Sequence, residues 1–566
     1  MRVNLKTLLA TLLICLIALV ACNSLENGGN KDWVEVKIKV NQPGSSNSGN
    51  MSVSPTGTLT ALIMVIPAST TIVDASTDFT NAYDGQLQSL IDNTVTLSVP
   101  LNESIQIVKK TFSSALVLED TYDADSFTAI GSSEAFTIDG SLTSKTVTIN
   151  LTATGGWSFV DGDGATGINK DVTQPAIAGE LVVYNNTLFA GWSEESTSNT
   201  VERGYGQIRV AGWDGNSTWT FVDGNGADGL NWDVTKLAEH VNFALFDSKL
   251  FLAWTEFSDT TSDLRQLRVR YWDGNNWIWA GGGGGETGLN YNTAETVRLP
   301  SMAVFNSNLY LTWQEKQGSY GQIRVRKWDG TTWSFVDAGG AEGINYNTSK
   351  GTDSPHLIVF DGNLYATWVE TGTTGFYQIR FAEWDGTTNW NFRDGDGTDG
   401  LNYDTSKEAH DSTTFVFGSK LYLIWAESNS SEIAQIRVKE WDKTTWRFID
   451  GNGANGLNRS SAKEAAIPSL FEFNSKLHAA WSEPNASGKH QIRVVQWDGS
   501  STWTFVDGDG ENGLNKDSTN VAITPRAVIY NSKLYLSYME GLFFISCDSG
   551  TCDTTKTDQI RVMQYF

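Results

Sequence analysis

Short apolar runs with a period of two alternate with polar and glycine-rich segments along most of the chain. In WVEVKIKV (33–40), the valines and the isoleucine fall on one face and the charged residues on the other, which is typical of a half-buried strand. Residues 33–152 are therefore predicted to form a small β-sandwich that acts as a spacer. Further strand-like runs lie at 59–66, 94–99, 104–108, 113–118 and 145–151.

The remainder of the chain consists of seven copies of one sequence repeat. A tryptophan opens each copy, at intervals of 56 to 62 residues, and a period of this size indicates a solenoid, propeller or array. Each copy has four strand-sized pieces, and four short strands per repeat predict a propeller blade. Residues 155–566 are thus predicted to form a seven-bladed β-propeller. The opening tryptophans are Trp157, Trp219, Trp277, Trp333, Trp390, Trp446 and Trp503.

The two ends of the repeat region predict how the ring closes. In each copy a tight Asp-Gly turn joins a QIRV-like strand to the next W-x-F strand, which is a hairpin signal, so both strands belong to one blade. The repeats begin with an unpaired WSFVD at 157–161 and end with an unpaired QIRVMQYF at 559–566. These segments are predicted to pair and remove the open sheet edges. The W-x-F strand is then outermost, and the first strand of each blade lines the channel.

Composition and charge narrow the picture further. The chain has 54 Gly, 10 Pro and 22 Trp, as expected for aromatic strands joined by glycine-rich turns. The predicted fold class is all-β: a seven-bladed propeller preceded by a small immunoglobulin-like or transthyretin-like sandwich. The formal net charge of −25 excludes nucleic acid as a partner, because nucleic-acid binding needs a basic surface. Such a charge suits solubility, cations or neutral ligands.

The chain begins with the layout of a signal peptide. Arg2 and Lys6 precede an apolar run that is short for a membrane span. The run ends in LVAC, which resembles a bacterial lipobox, and this resemblance implies removal of residues 1–21 and lipidation of Cys22. Residues 22–32 then form a polar tether, and the protein is exported and lipid-anchored, with the outer membrane or cell surface favoured. A plain signal peptide is the alternative.

Two cysteines remain near the end of the chain, Cys547 and Cys552. In an exported protein such a pair predicts a disulfide that closes a small loop. A metal pair is the alternative, but the other two cysteines are Cys15, in the predicted signal peptide, and Cys22, at the predicted lipid site, and no histidine is nearby.

The loop after W-x-F carries hard oxygen ligands at alternating positions in several copies, as in DGDGATGIN at 161–169. Calcium prefers six to eight such oxygens, so calcium is one hypothesis for these loops. The other is a Gly/Asp turn whose side chains bond their own backbone. The candidate calcium ligands are Asp161, Asp163, Asn169, Asp171, Asp223, Asn225, Asn231, Asp233, Asp394, Asp396, Asn402 and Asp404.

Every blade also has a glutamate that ends one strand and an arginine in the next, QIRV-like strand. Because buried charges must be paired, these are predicted to form a repeated, structural Glu–Arg ion pair. The expected pairs are Glu194–Arg209, Glu256–Arg268, Glu315–Arg324, Glu370–Arg380, Glu427–Arg437, Glu483–Arg493 and Glu540–Arg561.

Two family resemblances bear on function. The IRV strands with nearby Trp and Glu resemble fucose-binding propeller lectins, which bind sugar with an Arg, a Glu and an aromatic ring between blades, although blade number and residue order differ. The turn WDGTTW (328–333) resembles a degenerate Asp-box of sialidase-like propellers, where that turn is structural. A sialidase also needs an asymmetric set of catalytic residues, and no such singular set stands out among the repeated positions. No catalytic residue is therefore predicted.

We expect a lipid-anchored cell-envelope protein whose propeller binds a glycan or a protein. In propellers, the loops from each outer strand to the next inner strand share one face with the loops between the two middle strands, and that face usually binds. The alternatives are a sialidase-like or other glycoside-processing enzyme and a purely structural interaction scaffold. The expected partners are the membrane, through the anchor, and this ligand.

Overall fold

The computed structural model describes the strands of residues 33–153 by their backbone and most of residues 157–565 in full. The described residues are 33–41, 60–67, 84–89, 94–100, 104–112, 127–132, 136–137, 144–148, 152–153, 157–161, 166–195, 206–215, 218–224, 226, 228–258, 263–281, 288–337, 342–387, 389–395, 399–451, 455–507, 510–541 and 558–565. Among them, no helix is long and apolar enough to cross a membrane.

The chain divides into two compact units, Met1–Gly156 and Trp157–Tyr565. In the first unit, nine strands form two sheets with the orders β4-β1-β8 and β3-β2-β5-β6-β9, and β7 pairs with β5. The stacking of these sheets as a sandwich stays a prediction, and the segment 113–118 lies outside the described residues. The strands are β1 (Trp33–Asn41), β2 (Thr60–Pro67), β3 (Asp84–Ser89), β4 (Thr94–Pro100), β5 (Ser104–Phe112), β6 (Phe127–Ser132), β7 (Phe136–Thr137), β8 (Ser144–Thr148) and β9 (Thr152–Ala153).

The second unit is a ring of seven four-stranded antiparallel sheets, so the seven-bladed propeller is confirmed. Blades 1 to 6 take their strands in chain order, from β11–β14 to β31–β34. The strands are β10 (Trp157–Phe159), β11 (Ala176–Tyr184), β12 (Thr187–Glu195), β13 (Gly206–Trp213), β14 (Trp219–Phe221), β15 (Ala238–Phe246), β16 (Lys249–Phe257), β17 (Arg265–Trp272), β18 (Trp277–Trp279), β19 (Val297–Phe305), β20 (Asn308–Gln317), β21 (Tyr320–Trp328), β22 (Trp333–Phe335), β23 (Thr352–Phe360), β24 (Asn363–Thr371), β25 (Tyr377–Trp384), β26 (Trp390–Phe392), β27 (Ala409–Phe417), β28 (Lys420–Ser428), β29 (Ala434–Trp441), β30 (Trp446–Phe448), β31 (Ala466–Phe473), β32 (Lys476–Pro484), β33 (His490–Trp497), β34 (Trp503–Phe505), β35 (Val521–Tyr530), β36 (Lys533–Gly541) and β37 (Gln559–Tyr565).

Blade 7 combines both ends of the repeat region in the order β10-β37-β36-β35. Trp157 lies opposite Tyr565 and Phe159 opposite Met563, so the first W-x-F segment completes the last blade. The first strand of every blade contacts the first strands of both neighbouring blades, and these seven strands therefore surround the axis. The W-x-F strand is the outermost one in each sheet.

Two sets of tryptophans hold the blades together. One tryptophan in each of blades 1 to 6 is fully buried, and Tyr538 takes this place in blade 7. The outer tryptophans donate their indole N–H to a backbone carbonyl of the preceding blade, including Trp157 to Val506 across the closure at 3.1 Å. The other six bonds run from Trp219 to Val160, Trp277 to Val222, Trp333 to Ala280, Trp390 to Val336, Trp446 to Arg393 and Trp503 to Ile449.

Candidate functional site

The repeated loop after the outer strand binds back to its own blade through an asparagine. In the loop that connects blades 3 and 4, the Asn345 side chain accepts the N–H of Ile323 at 2.8 Å and donates to the Gly321 carbonyl at 3.0 Å. Gly343 lies so close to this strand that a Cβ would be 2.3 Å from the Ile323 oxygen. The Gly-(Leu/Ile)-Asn triplet is therefore explained by close approach, core filling and hydrogen bonding.

The glutamate of the next blade holds the same loop from the other side. Glu370 accepts the backbone N–H groups of Tyr346 at 2.9 Å and Asn347 at 2.6 Å, and the indole N–H of Trp368 at 2.9 Å. Burial raises the pKa of Glu370, and the N–H donors oppose this rise. Six other glutamates accept two backbone N–H groups in the same way, namely Glu194, Glu256, Glu315, Glu427, Glu483 and Glu540.

In six blades the structure pairs the arginine with the first aspartate of the loop, a partner that the expected Glu–Arg pairs did not include. In blade 3, Glu315 lies opposite Gln322 and Trp313 lies opposite Arg324. Extending the pairing of the outer strand places Asp337 beside Arg324, and their charged atoms are 2.9 Å apart. The equivalent pairs are Arg209–Asp223, Arg380–Asp394, Arg437–Asp450, Arg493–Asp507 and Arg561–Asp161.

Blade 2 is the exception. Ala280 stands where the other blades have the aspartate, and there Arg268 lies 4.0 Å from Glu256. This is one contact of the predicted Glu–Arg set. The glutamates and arginines of all seven blades are at most 4% exposed. They are therefore not available to a sugar in the manner that the lectin resemblance implies.

The described members of the predicted calcium set are already engaged by the protein. Asp161, Asp223 and Asp394 pair with arginines, and the asparagines bond the strand backbone, as Asn231 does with Ile208 at 2.9 Å. Of the predicted set, the loop-end aspartates cap turns, with Thr173 bound to Asp171, Thr235 to Asp233 and Ser406 to Asp404. No group of three His, Cys, Asp or Glu suited to a metal occurs in the part of the chain that the structure describes. Asp163, Asn225, Asp396, Cys22, Cys547 and Cys552 lie outside it.

The blades differ from one another at the start of their inner strands. There, each inner strand has an irregular step in its pairing with the second strand, as between Arg298 and Ser301 in blade 3. The residue just before this step, eight positions after the loop asparagine, lies where the loop face meets the central channel, and we call it the mouth position. Its occupants in blades 1 to 7 are Ile177, Glu239, Arg298, Asp353, His410, Ala466 and Ile523.

Charged or titratable mouth residues thus occur in blades 2 to 5 and aliphatic ones in blades 6, 7 and 1. Blades 2 and 3 are linked by an ion-pair chain, in which Arg265 contacts Glu239 at 2.7 Å and Asp263 at 2.5 Å. Asp263 in turn contacts Arg298 at 2.6 Å. Arg298 and Asp263 are about half exposed, so these charges face solvent.

The chain of charges continues into blades 4 and 5. Burial raises the pKa of Asp353, and the nearby carboxylate of Asp411 adds to this rise. The N–H of Ser354 and the charges of Arg298 and His410 oppose it. Four charged or titratable groups from three blades, namely Arg298, Asp353, His410 and Asp411, therefore lie together at this side of the mouth.

A cavity of about 460 Å³ opens beside this network on the loop face. Arg298 and Asp353 belong to its wall, together with Asp263 from the loop between the middle strands of blade 2. Its remaining lining residues are Leu264, Ala294, Glu295, Thr296, Gln314, Lys316 and Gly321. The cavity thus presents carboxylate acceptors and cationic donors together.

Sequence reasoning missed this asymmetric set. The repeated residues do not reveal it, because the mouth position lies in the variable stretch between two repeated motifs. Alignment of the seven copies on the loop asparagine, followed by reading eight residues on, gives the sequence I-E-R-D-H-A-I and would have identified it.

No protein-family model and no curated protein matches the chain. Among solved structures, it is similar to a thermostable family-43 glycoside hydrolase, with 14% identity over 46% of this chain and 87% of that one and a TM-score of 0.28. It is also similar to an endo-arabinase from Bacteroides thetaiotaomicron, with 15% identity over 46% of this chain and 92% of that one and a TM-score of 0.29. A mutant Trypanosoma rangeli sialidase displaying trans-sialidase activity matches with 10% identity over 61% of this chain and 57% of that one and a TM-score of 0.39. A sialidase and glycoside hydrolases are thus among the solved structures to which the chain is similar, and no specific family is identified.

Proposed function

We propose that this chain is a lipid-anchored cell-envelope protein whose propeller binds a glycan at the charged side of the channel mouth. The observation that carries the proposal is the confinement of Glu239, Arg298, Asp353 and His410 to four adjacent blades beside a cavity. A purely structural ring has no need for this difference, because blades 6, 7 and 1 are built with Ala or Ile at the same position.

The chemistry of the cavity suits a polyhydroxylated ligand. Sugar hydroxyls both donate and accept hydrogen bonds, and the wall offers carboxylates as acceptors beside Arg298 and Lys316 as donors. Binding sites of this kind combine a concave surface with a few convergent polar groups. A protein partner is the other possible occupant of this face, and the binding experiment distinguishes the two.

The anchor and spacer belong to the same proposal. Lipidation of Cys22, the tether 22–32 and a β-sandwich at 33–152 would hold the propeller away from the bacterial membrane, with the outer membrane or cell surface as its place. Mass spectrometry of the mature N-terminus tests the lipid, and protease accessibility on whole cells tests surface display. If calcium takes part, it would be coordinated by loop residues such as Asp163. Glycan binding should therefore be measured with and without EDTA.

The test of glycan binding uses residues that the fold already accepts at the mouth position. Arg298→Ala and Asp353→Ile copy the occupants of blades 6 and 7, Ala466 and Ile523. We expect each to weaken binding on a glycan array at least tenfold. Arg447→Ala is the matched control, since this arginine makes an exposed ion pair on an outer strand.

Equal binding by all three variants and the wild type would reject the mouth as the site. Binding to no glycan, together with capture of a protein that the same variants abolish, would replace the glycan with a protein ligand.

A second candidate function is glycoside hydrolysis, favoured by one observation. Burial raises the pKa of Asp353 and the nearby carboxylate of Asp411 raises it further, and a raised pKa is the condition for a carboxyl group that acts as a proton donor. Release of reducing ends from a bound glycan, lost in Asp353→Asn while binding persists, would establish this activity. Binding without hydrolysis would leave a binding protein.

A further inference from the structure

The residue directly after the loop asparagine also divides the ring into two halves. The four junctions from blades 1/2 to blades 4/5 carry Trp232, Tyr291, Tyr346 and Tyr403, which are 45%, 38%, 43% and 44% exposed. The other three junctions carry cations at this position, namely Lys170, Arg459 and Lys516.

Each exposed ring is held in a fixed orientation. The N–H of Tyr346 is bound by Glu370, its ring meets Phe392 edge-on at 5.2 Å, and the Arg380 guanidinium lies 4.4 Å from its centre. Tyr291 and Tyr403 make the same contacts with Phe335 and Arg324 and with Phe448 and Arg437. The inner side of each ring is therefore covered while the rest faces solvent, so a ligand would meet a preordered surface.

Packing does not explain why aromatic residues occupy these junctions. At the other three, the side-chain cation lies over the equivalent phenylalanine, with Lys516 4.9 Å from the centre of Phe159 and Lys170 4.6 Å from that of Phe221. The same loop thus accepts an aromatic ring or a cation on the same support. The hydroxyls of the three tyrosines also have no hydrogen-bond partner among the described residues.

The aromatic half of the face coincides with the charged half of the mouth. The four aromatic junctions border blades 2 to 5, whose mouth residues are Glu239, Arg298, Asp353 and His410. The cavity beside Arg298 is lined by Ala294–Thr296, which follow Tyr291 in the same connection. The mouth position and the position directly after the loop asparagine therefore distinguish the same arc of the ring from the rest.

We infer that this arc binds an extended glycan chain, in which some sugar rings stack on the exposed aromatic residues while one unit occupies the charged cavity. This inference rests on the proposed glycan-binding function. A chain fits better than a folded protein because the aromatic rings form separate platforms, each followed by a polar turn residue such as Asn347 or Asp404, and not one continuous apolar patch. Each sugar unit that stacks on an aromatic face buries apolar area there, so affinity should rise with the number of stacked units.

The experiment replaces aromatic residues with the residue that the fold uses at the other junctions. The probes are soluble xylan, arabinan, mixed-linkage β-glucan and galactomannan in affinity electrophoresis, followed by calorimetry with one to six units of the polymer that binds. Tyr291→Lys and Tyr346→Lys are each expected to lower affinity for the hexasaccharide about tenfold, and the double variant about a hundredfold. Affinity for the single sugar should stay within twofold. Lys516→Tyr, at a junction outside the arc, is the matched control.

The outcomes separate this inference from the proposed function. If Arg298→Ala abolishes binding while both lysine variants bind the hexasaccharide like wild type, the cavity site stands and the arc is wrong. If the lysine variants lose affinity for the single sugar and for the hexasaccharide by the same factor, the aromatic residues belong to a single-sugar site and binding of an extended chain along the arc is wrong. If the wild type binds none of the polymers or other glycans, both proposals fail.

Discussion

Glu370 provides the sharpest test of how adjacent blades are joined. Its carboxylate receives three N–H groups, two from the incoming loop at Tyr346 and Asn347 and one from Trp368. In Glu370→Gln, the amide oxygen can keep the two donors that share Oε2, whereas the amide nitrogen must face the N–H of Asn347. The variant therefore loses one charge-assisted hydrogen bond, about 2 kcal/mol, and leaves a buried donor unsatisfied, about 1–3 kcal/mol. The expected loss in the free energy of unfolding is about 3–5 kcal/mol.

The assay is guanidinium unfolding followed by tryptophan fluorescence, with hydrogen exchange of the peptide that contains Tyr346 and Asn347. Exchange should accelerate first at the amide of Asn347, whose acceptor is lost. Glu383→Gln is the matched control in the same blade, since Glu383 makes an ion pair with the half-exposed Arg393 at 2.8 Å and should contribute no more than about 1 kcal/mol. A loss below about 1 kcal/mol in Glu370→Gln, or unchanged exchange at the Asn347 amide, would refute this account of the junction.

Three further predictions concern the ring as a whole. Trp157→Ala removes the indole bond and the Tyr565 ring contact at the closure, and should lower the free energy of unfolding by about 2 kcal/mol in denaturant titrations. Gly400→Ala would place a Cβ 2.1 Å from a backbone oxygen and should cost about 2 kcal/mol or more, whereas Gly510→Ala, with no atom nearer than 3.9 Å, should have little effect; equal costs would contradict the close-approach argument. Burial lowers the pKa of His478 to about 4, so between about pH 6.5 and 4 the unfolded chain binds a proton that the folded chain does not, and stability falls as the pH falls. The loss of stability from pH 7.5 to 4.5 should therefore be about 2 kcal/mol smaller in His478→Phe than in the wild type, as measured by denaturant unfolding at each pH.

The architecture of the propeller could be predicted because local signals repeat. The Asp-Gly turn between the QIRV and W-x-F strands specifies their pairing, and the cut halves at Trp157–Phe159 and Gln559–Tyr565 then have one natural partner each. Repetition also singles out the loop asparagine, since a residue that recurs in all seven copies marks a position that every blade needs.

The partner of the arginine could not be predicted in the same way. Glu315 and Asp337 are both near Arg324 along the chain, and only the strand register shows that Asp337 lies beside it while Glu315 faces the incoming loop. The mouth position was missed for a different reason, because residues that differ from blade to blade leave no repeated letter. The irregular step in the inner strand, which follows this position in each blade, is visible only in three dimensions.

The repeated residues stabilise the junctions between blades, whereas the varied residues can be exchanged without loss of the fold. The repeated Asp, Arg and Glu side chains are buried and the repeated Asn side chains are buried or half-buried, and all are bonded to one another or to the backbone, so a ligand cannot reach these groups without disrupting a junction. The varied residues at the mouth and at the junctions make few bonds that the fold requires, since other blades replace Arg298 with Ala and Tyr346 with Lys. Exchanging these residues between blades should therefore change binding while leaving the unfolding transition nearly unchanged. Glu370 should show the reverse dependence, because its contacts are those that every blade shares.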